Sequence, residues 1–165
     1  MKKVTAIMCL VVLAGAAQEK EPKIVERNGM TVRWYHANHR IHLEMTAPTK
    51  GWVAIGFHEE PSLTGAYLVM GAVAQEKITV AEHYVRSPGH YQRIEVLDGT
   101  NQIEMPDGEE TDHFTHIAFS LPLNIPSPYR KSLYAGQSYH LTLAYSREDD
   151  FQHHSMMRTS LIVTL

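Results

Sequence analysis

The chain has 165 residues, a formal net charge of −3, 44% hydrophobic and 20% charged residues, one cysteine and eleven histidines. That is enough for one domain with its own core, too balanced in charge and apolar content for disorder, and too acidic to neutralise a run of nucleic-acid phosphates. A single cysteine excludes an internal disulfide framework and any cysteine-only zinc or iron–sulfur site.

Residues 1–17 read as a secretory signal peptide: a basic Met1-Lys2-Lys3 start, an apolar run over 4–13, then small Ala14-Gly15-Ala16-Ala17 before a polar stretch. The run is too short to span a bilayer. Cleavage is expected after Ala16 or Ala17. It would remove Cys9 with Lys2 and Lys3, leaving a cysteine-free, more acidic domain over 18–165. The expected localisation is extracytoplasmic, with no membrane span in the mature chain.

The apolar runs that follow are short and punctuated by Gly, Pro, Asn and Asp, which is the rhythm of an all-β domain. Residues 29–36 alternate, with Met30, Val32 and Trp34 on one face. Residues 40–46 alternate too, with Ile41, Leu43 and Met45 inward and Arg40, His42 and Glu44 outward. The two runs read as a hairpin, with His36 and His42 flanking its turn and able to face each other. Residues 52–57 are apolar on both faces, as in a central strand. A loop over 58–64 leads into strands at 66–74 and 77–85. Residues 91–104 read as loop with one or two short strands, and 105–112 as a polar turn. A strand at 113–121 precedes a proline-rich connection to 135 that has room for one helical turn. Strands at 138–146 and 157–165 enclose a charged loop over 147–154. Tyr139, Leu141, Leu143 and Tyr145 share a face. The expectation is a two-sheet antiparallel β-sandwich of about eight to eleven strands.

The stretch Gly51-Trp52-Val53-Ala54-Ile55-Gly56-Phe57, followed by Leu63-Thr64-Gly65-Ala66-Tyr67-Leu68-Val69-Met70-Gly71, resembles the DOMON domain signature. The strands at 80–85 and 114–121 fall where that family has strands, so the resemblance spans nearly the whole chain after residue 17. It implies an exported β-sandwich of about ten or eleven strands that binds haem b or a sugar between or beside its sheets. In the haem-binding members one axial ligand is a Met at the start of the second motif and the other a His on the loop before a late strand. Here Leu63 stands at the Met position and has no donor atom. His153 and His154 stand before the last strand.

The loop over 145–158 is the densest polar cluster, and it joins two strands at one end of the sandwich. Three readings of it stay open. In the first, His153 or His154 ligates haem iron with Met70, Met156 or Met157 opposite. In the second, His153, His154, Asp149 and Asp150 bind a transition metal through imidazole and carboxylate donors. In the third, Asp149, Asp150 and Arg147 hold sugar hydroxyls beside Tyr145 or Trp52. Arg158, at the start of the closing strand, joins the cofactor-binding candidates His153, His154, Met70, Trp52, Tyr145 and Arg147. A haem-bound module would need a separate redox partner. No nucleophile elbow or H-E-x-x-H helix is present, so no catalytic residue is assigned. A structural or interaction module without a small ligand is the remaining class.

Overall fold

The structure, a computed structural model, describes residues 21–165. The proposed signal peptide over 1–17 lies outside the described residues. Eleven strands and one short helix form the described chain: β1 (Lys23–Arg27), β2 (Met30–Ala37), β3 (Arg40–Ala47), β4 (Val53–His58), β5 (Tyr67–Ala74), β6 (Lys77–Ser87), β7 (His90–Arg93), α1 (Ile94–Asp98), β8 (Glu104–Glu110), β9 (Thr115–Pro122), β10 (Ser138–Tyr145) and β11 (Met157–Thr164). They build a five-stranded sheet ordered β1-β2-β3-β9-β8 and a six-stranded sheet ordered β11-β10-β4-β5-β6-β7, all pairs antiparallel. The expected all-β sandwich is the fold observed. Among the described residues no helix is long and apolar enough to cross a membrane.

Alternation decides which side of each strand is buried. Met30, Val32, Trp34, Ile41, Leu43 and Met45 are buried from the five-stranded sheet. They meet Val53, Ile55, Phe57, Tyr67, Val69, Leu141 and Leu143 from the six-stranded sheet. Each such side chain contributes roughly 1.5–3 kcal/mol by leaving water. The sheets approach closely at Gly71, where an added Cβ would lie 2.7 Å from Ile117 Cγ2.

A buried polar cluster closes one corner of the sandwich. Arg130, on the long connection before β10, donates from Nε to Glu82 Oε1 at 2.7 Å and from Nη2 to Glu82 Oε2 at 3.1 Å. The same guanidinium pairs with Asp98 at the end of α1 and donates to the Thr100 carbonyl at 2.9 Å. Tyr67 donates its hydroxyl to Glu82 Oε1 at 2.7 Å. Burial first, then the Glu82 carboxylate, pushes the Tyr67 phenol well above its usual range. Without these partners the charges at Glu82 and Arg130 would be prohibitively costly to bury.

Four local expectations need correction. Residues 105–112 are not a turn: they lie mostly in β8, an edge strand disguised by its acidic residues and Pro106 and interrupted by a bulge between Glu104 and Asp107. β1 and α1 were not legible as elements. His36 and His42 do not face each other, because the register pairs Tyr35 with His42 and His36 with Ile41. Tyr35 and His42 stack at 4.6 Å, while the His36 Nε2 lies 2.9 Å from the Leu133 carbonyl. No helical turn is assigned between β9 and β10.

Candidate functional site

The site forms on the outer face of the six-stranded sheet, not between the sheets. Because Val53, Ile55 and Phe57 turn inward, Ala54 and Gly56 must turn outward. The register sets Ala54 beside Met70 and Ala144, and Gly56 beside Leu68 and Thr142. Three of these six side chains are Ala or Gly, so the sheet surface sinks into a trough. Leu63 and Ala66 from the loop before β5 form one wall. Trp52, Tyr91 and the histidine-bearing segment Gln152-His153-His154-Ser155 line the rest, with Arg158 from β11 at the rim. The cleft leaves about 110 Å³ at the level of a water molecule's centre, and about 740 Å³ between atom surfaces when its open mouth is counted.

The donors in the cleft are varied. His153 and His154 supply imidazoles, and Met70, which is buried in the floor, supplies a thioether. Trp52 is 3% exposed, and its buried Nε1–H has no hydrogen-bond partner. A buried donor without an acceptor costs free energy, and a bound group offering an oxygen removes that cost. Arg158 is exposed and has no carboxylate partner among the described residues.

The loop from Ser146 to Met156 is fixed at both ends. Trp52 donates its N–H to the Glu148 carbonyl at 3.0 Å and accepts from the Ser146 N–H at 2.9 Å. The Met156 N–H donates to the Tyr145 carbonyl at 2.9 Å. Gly51 makes the first junction possible, since a Cβ there would lie 2.4 Å from the Glu148 nitrogen. Within the loop, Ser146 Oγ donates to the His154 carbonyl at 3.0 Å, and the His153 N–H to the Asp150 carbonyl at 2.9 Å. Phe151 turns down onto the sheet and is 8% exposed, packed edge-on against the buried His83 ring at 5.8 Å. Burial, followed by the nearby Arg93 charge, lowers the His83 pKa to about 4, so this imidazole is neutral at physiological pH.

Five of the expected residues, Trp52, Met70, His153, His154 and Arg158, therefore line one cleft. Tyr145 does not: it is buried in the inter-sheet core, because it shares the inward parity of Tyr139, Leu141 and Leu143. Arg147 lines a separate cavity with Lys50, Asp112 and His113. Asp149 and Asp150 line a third cavity, with His83, Arg93 and Phe151. The metal quartet His153, His154, Asp149 and Asp150 is thus divided between two cavities. Among the described residues no group of three or more His, Cys, Asp or Glu is placed to hold a metal ion. Tyr91 and the small residues Ala54, Gly56 and Ala144 escaped the sequence reading of the site. The alternation of the 52–57 segment could have revealed the trough. Nothing local marks Tyr91.

A family model for the DOMON domain matches residues 26–146. The chain belongs to the DOMON family. The match ends at the last strand before the histidine-bearing loop, so that loop is read from this DOMON domain's own geometry. Among solved structures, the chain is similar to the cytochrome b domain of pyranose dehydrogenase from Coprinopsis cinerea, with 9% identity and a TM-score of 0.60 over 81% of this chain and 76% of that one. It is also similar to the cytochrome domain of cellobiose dehydrogenase from Myriococcum thermophilum, with 8% identity and a TM-score of 0.60 over 87% of this chain and 81% of that one. At such identities the likeness is one of fold. No curated protein sequence matches the chain.

Proposed function

We propose that this DOMON domain is an extracytoplasmic haem b-binding module that passes single electrons to or from a separate protein partner. The observation that supports it best is the composition of one cleft: two imidazoles, a buried thioether and an orphaned indole N–H around a trough of Ala, Gly and Leu. Imidazole and thioether are a known axial donor combination of b- and c-type electron carriers. His153 or His154 would hold the iron from the loop, with the Met70 thioether as second donor. Leu63, which also lines the cleft, has no atom that can do so. Arg158, exposed at the rim, would bind a carboxylate side chain of the macrocycle, and the apolar floor would shield it from water. Haem supplies a one-electron couple when bound. The fold's part would be to hold it in a cleft open to solvent, where a partner can approach. The two solved cytochrome domains of the same fold support the reading. The Met1–Ala17 pattern supports export.

A carbohydrate-like ligand is the second reading, favoured by Trp52 and Tyr91 lining the same cleft as Thr142, Gln152 and Arg158. Haem titration of the purified protein, followed by its absorption spectrum, separates the two. The haem reading expects a sharp Soret band in the wild type that is lost or shifted in either His153→Ala or His154→Ala. A spectrum identical in both variants to the wild type would contradict it. A glycan screen reports on the sugar reading.

A further inference from the structure

The histidine-bearing loop is anchored at its ends by the backbone pairs at Trp52–Glu148 and Tyr145–Met156. Between them the chain crosses the outer face of the sheet, and Gln152, His153 and His154 are exposed. Hydrogen bonds within the loop give it a local shape, and the one from Ser146 Oγ to the His154 carbonyl ties its far end to the buried Ser146 at the end of β10. Among the described residues, one hydrogen bond joins residues 149–155 to an element other than the loop's own two strands. It is donated by the Tyr91 hydroxyl, from edge strand β7, to the Phe151 carbonyl. The Phe151 ring itself is buried against His83 and the small outer-face cluster of Ala72, Ala81 and Met70. The Tyr91 ring meets His83 edge-on at 5.5 Å and also lines the cleft.

We infer that Tyr91 is a positioning residue for the cleft: its hydroxyl pins the middle of the loop, and so sets where the His153 and His154 imidazoles stand. Phe151 is the anchor and Tyr91 the clasp. Only Gln152 separates the clasped residue from His153, so freedom at Phe151 passes to the imidazoles with little chain to absorb it. The core of the sandwich is indifferent to the clasp, because the loop lies on the opposite face of the sheet from the inter-sheet contacts. The part of this inference that concerns haem rests on the function proposed above, while the part that concerns the loop does not.

Tyr91→Phe isolates the hydroxyl, since the ring and its contact with His83 are kept. Two measurements on the full chain test it. In hydrogen exchange, the amides of 151–155 lose protection several-fold in Tyr91→Phe while those of β4 and β10 keep theirs. In the haem-loaded protein, release of haem to an excess of an apo-globin scavenger becomes several-fold faster in Tyr91→Phe, and the Soret band broadens. Unchanged exchange at 151–155 would overturn the inference whether or not haem binds. Protection lost equally across β4 and β10 would also overturn it, because the hydroxyl would then be serving the whole fold. Loosened exchange together with wild-type haem release and an unchanged Soret band would remove the link to the imidazoles. A wild type that takes up no haem would count against the proposed function, leaving the exchange result to decide the clasp.

Discussion

His83 sits beneath the clasp, between Phe151 and Tyr91, and its burial has a measurable consequence. Its imidazole titrates near 4 in the fold and near 6.5 in an unfolded chain, chiefly because burial penalises the charged form. Between those values the unfolded chain binds a proton that the fold refuses. Stability from this group is therefore complete above about pH 6.5 and is lost as the pH falls towards 4, by on the order of 3 kcal/mol in total. Urea denaturation across that range should show the loss, and His83→Phe should flatten that part of the profile. An equally steep profile in the variant would refute the assignment. Arg130 makes a second residue-level prediction. Arg130→Met strands the Glu82 carboxylate in the interior and should cost about 3–5 kcal/mol in denaturant unfolding. Adding Glu82→Gln to it should recover part of that loss. A cost within error of zero would mean that Glu82 finds water or a proton instead.

At the scale of elements, what could be read from the sequence follows from how many faces of a strand are constrained. β2 and β3 alternate because one face is core and the other solvent, so their inward residues were legible individually. β4 was legible as a central strand because both of its faces are covered: by the core on one side and by the cleft and loop on the other. β8 was illegible for the converse reason, since it is an edge strand in which one residue after another faces water or a bulge. The site divides the same way. His153, His154, Trp52, Met70 and Arg158 were found by residue type and by the loop's place between two strands. Tyr145 lies next to the loop in sequence, but its parity with Leu141 and Leu143 assigns it to the core, and alternation decides. Tyr91 was not found at all. Its role depends on contact with a residue 60 positions away, and no local pattern encodes that contact.

At the scale of the whole molecule, the two faces of the six-stranded sheet carry separate tasks. The inner face packs against the other sheet and holds the fold. The outer face, with small residues at Ala54, Gly56 and Ala144, is freed to form a cleft walled by loops and by side chains of β7 and β11. This separation means the site can be altered without unfolding the domain, and it gives the most direct test of the account. Haem titration of Ala144→Phe beside the wild type, with thermal unfolding of both, is the deciding measurement. The account predicts that the wild type takes up one equivalent of haem, and that the variant, its trough filled by a ring, loses that uptake at an unchanged Tm. A wild type that stays colourless, or a variant that binds haem as tightly as the wild type, would contradict it.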